Sequence, residues 1–206
     1  MMFSLELLLL FLFLLLSPRS PSTSILILKS TPFQNTKKKT FIAMPTLISN
    51  QSLRYLHQQA SDRSTTARLW MAIFSGAFPG DRQVYVVQGQ LPANTTRRRV
   101  DAKVYCFVNG MHRDLIYADF KAPGLSDAER AEAEARVIRY CQTLLRNQPN
   151  TQSITAMLCI GPQVAIWIVR RNTTAPVGAR YHDVDSREGS CKVRRLFTRI
   201  RNLYGR

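Results

Sequence analysis

Acidic side chains are scarce in this chain: 13 against 29 lysines and arginines in 206 residues, giving a net charge of +16 and a pI near 10.5. Such an excess favours an anionic partner, whether nucleic acid, an acidic membrane surface or an acidic protein. Cysteine is sparse as well. Cys106, Cys141, Cys159 and Cys191 stand far apart, with no Cys-x-x-Cys pair and no histidine at metal-finger spacing. That argues against a disulfide-stapled mini-protein and against a structural zinc module. His57, His112 and His182 are scattered and take no place in a nucleophile or ligand pattern. There is no glycine-rich phosphate loop and no Gly-x-Ser-x-Gly elbow. What the chain does have is a hydrophobic fraction of 45%, enough to build a core, and the length of one ordinary domain with loose ends.

The first fifty residues are a different kind of sequence. Leu7 to Leu16 is an unbroken apolar run of ten residues, too short to span a bilayer but long enough for the centre of a secretory signal. Its flank fits that role poorly, because Glu6 stands where a positive charge is usual. Asn-x-Ser/Thr sequons at Asn50, Asn94 and Asn172 would suit secretion. The competing account makes residues 1–43 an extension ahead of Met44, which leaves an intracellular protein of nucleus or cytoplasm. Residues 1–43 carry five basic side chains and one acid, so +12 of the +16 belongs to residues 44–206.

From residue 50 the periodicity becomes readable. Leu53, Leu56, Ala60, Ala67, Trp70, Met71 and Phe74 predict helix over residues 51–76, with a weak stretch from Ser61 to Thr66 that could divide it. Strands are expected at Val84–Gln88, Arg99–Val108 and Asp114–Lys121, the last two joined by the turn signal Asn109-Gly110. Ser126 with Glu129 makes a capping box and starts a helix that Pro149 ends. Ile154–Ile160 and Val164–Val169 read as two further strands. The expected fold is therefore α/β, a mixed sheet flanked by helices in the order helix, three strands, helix, two strands. It divides into an N-terminal extension over 1–49, this domain over 50–172, and a loop with a basic helix over 173–206. In that helix Val193, Leu196, Phe197, Ile200 and Leu203 fall at helical spacing among Lys192, Arg194, Arg195, Arg199 and Arg201. Its apolar side either packs on the core or, with the N-terminal run, provides the only membrane contact in view.

Asp101 lies in the second predicted strand, and Asp119, Phe120 and Lys121 end the third. Alternate strand residues share a face, so Asp119 and Lys121 point one way with Tyr117, while Ile116, Ala118 and Phe120 point into a core. Two carboxylates and a lysine at strand ends suit a hard divalent ion, Mg²⁺ or Mn²⁺, which needs only one or two carboxylates and activates a bound water. Lys121 would orient that water or stabilise developing charge. Val100-Asp101 followed by Asp119-Phe120-Lys121-Ala122-Pro123-Gly124 resembles the PD-(D/E)XK, or restriction-endonuclease-like, superfamily. The nearest likeness is to fungal members in which a Glu-x-Lys precedes Ala-Pro-Gly. The resemblance spans about residues 50–170. It implies that Asp101 and Asp119 bind metal, that Lys121 assists the water, and that Gln142 on the following helix plays a supporting catalytic part. This chain departs from that pattern in having Val100 before the first acid and Asp rather than Glu as the second.

Register sets a condition. A strict two-residue turn at Asn109-Gly110 would pair Asp101 with Ala118, leaving Asp101 and Asp119 on opposite faces. A shared metal site requires an odd loop or a bulge in this hairpin. Arg97, Arg98 and Arg99 lead into the Asp101 strand, and Arg170 and Arg171 close the last one. Both groups are candidates for gripping a nucleic-acid backbone. Three functions are open: a metal-dependent nuclease or its inactive relic, a non-enzymatic basic nucleic-acid-binding module, or a small secreted effector-like protein. None calls for an organic cofactor.

Overall fold

The computed structural model describes residues 46–80, 86–89, 101–178 and 180–204. The apolar run at 7–16, the sequon at Asn94, and Arg97, Arg98 and Arg99 lie outside the described residues, as do the first two positions of the expected strand at 84–88.

The predicted first helix is two. α1 spans Gln51–Gln58 and α2 spans Arg63–Ala77. The break falls where the weak stretch begins, because Asp62 caps α2: its side chain accepts from Thr65 N while the Thr65 hydroxyl accepts from Asp62 N. Three strands come next, β1 (Val86–Gly89), β2 (Ala102–Val108) and β3 (Met111–Lys121), then α3 (Asp127–Asn147), β4 (Ser153–Ile160) and β5 (Gln163–Arg170). α3 begins at the expected capping box, Ser126 and Glu129. Two short strands were not legible in the sequence: β6 (Thr174–Pro176) and β7 (His182–Asp183) both pair with β5. The last helix, α4 (Arg187–Tyr204), starts earlier than its hydrophobic spacing suggested, taking in residues expected to be loop.

The sheet runs β1-β2-β3-β4-β5-β6, with β7 on β5, and every pair is antiparallel except β3 with β4. The parallel pair needs a crossover, and α3 supplies it. Both faces are covered. On one, Leu69, Trp70, Ile73 and Phe74 of α2 and Val193, Phe197 and Ile200 of α4 pack on Ile116, Ala118 and Phe120. Phe197 meets Phe74 and Phe78 edge-on, at 5.8 and 5.2 Å between centroids. On the other face, Val137, Cys141 and Leu145 of α3 pack on Tyr117, Leu158 and Trp167. The apolar side of α4 is thus spent largely on the core, and Arg187, Arg195, Arg199 and Arg201 are exposed, while Arg194 turns back to Thr46 O. Among the described residues no helix is long and apolar enough to cross a membrane.

The β2–β3 hairpin combines both features that sequence set in opposition. The turn is the two-residue kind, with Val108 opposite Met111 and positive φ at Asn109 (53°) and Gly110 (75°). Past Tyr105↔Asp114 the register jumps to Val104↔Ile116, so Leu115 is an extra residue. Leu115 and Ile116 are consecutive yet bury in the same core, which a strand permits only at a bulge.

Candidate functional site

Beyond the bulge the register continues Val104↔Ile116, Lys103↔Tyr117 and Ala102↔Ala118. Asp101 stands just before β2, and its N–H donates to Ala118 O at 3.0 Å. Its carboxyl group meets that of Asp119 at this end of the sheet, between Arg63 of α2 and Arg136 of α3.

Each of the four carboxyl oxygens is engaged by a neighbouring donor. Asp101 Oδ1 is ion-paired with Arg63, in the first turn of α2, and Asp101 Oδ2 accepts from Phe120 N at 2.7 Å. Asp119 Oδ1 lies 3.0 Å from Lys121 Nζ, and Asp119 Oδ2 lies 2.8 Å from Arg136 Nη2 of α3. Both carboxylates are buried, at 5% and 3% exposure, whereas Arg63 and Arg136 have about half of their side chains in solvent.

Close apposition splits their protonation. Burial, with the neighbouring Asp119 adding to it, holds Asp101 above the usual carboxylate range despite the Phe120 N–H and Arg63. Burial works on Asp119 in the same sense, but Lys121, the Asp101 carboxyl and Arg136 outweigh it and keep Asp119 below that range. The two carboxyls are thus pushed in opposite directions, an arrangement suited to acid–base work or to a cation between them.

Local chain chemistry fixes the lysine end. Gly161 N donates to Lys121 O at 3.2 Å, and Trp70 Nε1 donates to Gly161 O at 2.9 Å. Pro123 packs against Gly161 so closely that a Cβ there would lie 2.8 Å from Pro123 Cγ. Gly124, at φ 87°, then turns the chain into α3. The Ala-Pro-Gly segment thus clamps the end of β3 to the β4–β5 turn.

The structure brings together Asp101, Asp119 and Lys121, and adds Arg63 and Arg136. The latter two carry no local sequence signal; they arrive from helices whose packing angles only the folded chain defines. Gln142 is not among the groups contacting the pair. It lies six positions beyond Arg136 on α3 and reaches Thr174 Oγ1 at 3.5 Å. Arg170 and Arg171 do not extend the site's surface either. Arg170 pairs with Ser153, whereas Asp119 pairs with Leu158, so strand rise separates the two levels by roughly 16 Å. Arg171 is turned onto the carbonyls of Gln148 and Pro149.

A second polar cluster sits at that far end and has no local sequence signal. Asp114, 1% exposed, accepts from Tyr117 Oη and Gln148 Nε2, both at 2.7 Å, and is ion-paired with Lys103 Nζ at 2.8 Å. Lys103 also lies 4.9 Å from the Tyr105 ring centroid. Burial alone would raise Asp114, but Lys103, Tyr117 and Gln148 together hold it below the usual range. This cluster occupies the residue before the bulge and anchors it.

Among the described residues no group of three or more His, Cys, Asp or Glu side chains converges on one point. Comparison with protein-family models, with curated proteins and with solved structures finds no match.

Proposed function

We propose that this chain is a nuclease-type hydrolase of phosphodiester bonds, with a restriction-endonuclease-like core and a site built from Asp101, Asp119 and Lys121. The observation that supports this reading most is the meeting of the Asp101 and Asp119 carboxyl groups at the end of the hairpin, with Lys121 Nζ 3.0 Å from Asp119. The Asp119-Phe120-Lys121-Ala122-Pro123-Gly124 run, at the end of a strand and ahead of the α3 crossover, supports it further.

The donor set fits a hard divalent cation. Two carboxylates within hydrogen-bonding reach offer the oxygens Mg²⁺ or Mn²⁺ prefers. Asp101 and Asp119 would hold the ion, which supplies an activated water and offsets charge on the phosphate. The chain's own groups do the rest. Phe120 N–H fixes the orientation of Asp101. Lys121 directs its ammonium toward the attacking water and toward charge that develops during displacement. Arg63 and Arg136, half in solvent, can exchange a carboxylate oxygen for a phosphate oxygen, a pairing the guanidinium fork suits. The net charge of +16 draws the polyanion in.

A second reading, a basic nucleic-acid-binding module without turnover, is favoured by one observation: every oxygen of the pair is already engaged by Arg63, Phe120 N–H, Lys121 or Arg136. The test incubates the full chain with plasmid DNA and with single-stranded RNA, in Mg²⁺, Mn²⁺ or EDTA. Cleavage should need metal and fall at least about a hundredfold in Asp119→Asn and in Lys121→Ala, the scale of losing one preorganised charged group. Salt-sensitive binding without cleavage would establish the second reading instead.

A further inference from the structure

On the sheet face that carries α4, the helix leaves part of the strands uncovered. A cavity of about 320 Å³ remains between α4 and the Ser153–Arg170 end of the sheet, within the size range of small-ligand sites. Its floor is mainly aliphatic, with Leu115 from the bulge, Ile168, Val177, and Leu196 and Ile200 from α4, and Ser153 and Thr155 add two hydroxyls. Its rim carries Arg170, Arg195 and Arg199, all exposed, and none makes an ion pair among the described residues. The fourth rim cation, Lys192, is already matched by Glu188 at 2.6 Å.

We infer that this cavity binds a fatty-acid-type anion, a single alkyl chain ending in a carboxylate. Three unmatched guanidiniums around one mouth call for an anionic head that accepts from planar forks. The floor selects the body attached to that head. It contains no aromatic ring, so it offers no stacking platform for a nucleobase. It is mainly aliphatic, which suits an alkyl chain. A bilayer is a poorer occupant, because the apolar face of α4 is buried in the core and only Leu203 projects, at 63% exposure. This site is independent of the proposed hydrolase, being at the other end of the sheet.

The test is calorimetric titration of the full chain with monomeric dodecanoate. Inorganic phosphate, a single-stranded oligonucleotide and anionic phospholipid vesicles serve as separate arms. Saturable single-site binding of dodecanoate is expected. Affinity should drop at least tenfold in Arg195→Gln/Arg199→Gln, and again in Val177→Phe, which fills the floor without touching charge. Arg170→Gln, on a strand end rather than the helix, should weaken binding in the same direction, and circular dichroism of each variant verifies the fold. Three results would each overturn the inference: no saturable dodecanoate binding, equal affinity in all three variants, or dodecanoate displaced by phosphate or oligonucleotide at comparable concentration. Binding confined to vesicles would overturn it too.

Discussion

Where two buried carboxyl groups lie together, each disfavours ionisation of the other. Burial, with Asp119 beside it, raises Asp101 above the ordinary carboxylate range. The pH dependence then has a definite sign: a folded-state value above the unfolded one contributes stability below the ordinary carboxylate range, and that contribution is lost as pH rises through the raised value. Asp101→Asn keeps a neutral side chain at every pH, so its stability relative to wild type should be greater at pH 7 than at pH 3.5. Urea unfolding at the two pH values checks this, and a pH-independent difference would contradict the assignment. Asp114 behaves in the opposite sense. Its lowered value gives stability above the ordinary range that disappears on acidification through the folded value. Asp114→Asn leaves Lys103 paired with no carboxylate in a mostly buried position and should cost about 3 kcal/mol in denaturant unfolding at pH 7. Adding Lys103→Met should restore part of that loss; no restoration would mean the pair is not the unit that matters. Asp101, Asp119 and Lys121 were legible in sequence because strand alternation and position are local. Arg63, Arg136 and the Asp114 cluster were not, since their partners come from elements distant in the chain. Gln142 shows the converse: a helix position chosen by resemblance can face another strand altogether.

The element that determines the geometry is the β2–β3 hairpin. Asn109-Gly110 announces its turn in sequence, and the structure keeps that turn. The bulge was demanded by the chemistry proposed for Asp101 and Asp119 rather than read from pattern. A local trace of it existed nonetheless, in Leu115-Ile116, two adjacent aliphatics that break the alternation of β3 and both bury in one core. The helices were legible where caps are local, at Ser126, and less so where tertiary packing decides, as at the start of α4. β6 and β7 escaped because strands of three and two residues carry no period. At the other end of β3, the β4–β5 turn depends on Gly161. Its φ of 54° and the approach of Pro123 leave no room for a side chain. Gly161→Ala should therefore destabilise by about 2 kcal/mol, combining left-handed backbone strain with overpacking. Ser126→Ala, which removes only the α3 cap, should cost about 1 kcal/mol. Equilibrium urea unfolding measures both, and an order reversed between them would show that the clamp on Lys121 is slack.

Across the whole molecule, the two proposed sites stand apart. The carboxylate pair lies at the Lys121 end of β3, between Arg63 of α2 and Arg136 of α3; the cavity and its arginines lie beside α4 at the Ser153–Arg170 end of the sheet. Net charge alone fixed the expectation of an anionic partner, but composition could not say which surface meets it. The packing of α4 bears on that choice, since its apolar side is mostly buried in the core while Arg195 and Arg199 are exposed. Whether the carboxylate pair takes up a metal separates hydrolase from binding module more directly than any other property. The measurement is a Mn²⁺ titration of the full chain, followed by calorimetry and by the electron paramagnetic resonance signal of the free ion, in wild type, Asp119→Asn and Arg63→Gln. A saturable site is expected in wild type, with its loss in Asp119→Asn and tighter binding in Arg63→Gln, where a competing cation has been removed from Asp101. Equal uptake by wild type and Asp119→Asn, or no saturable uptake in any of the three, would contradict the metal-dependent hydrolase.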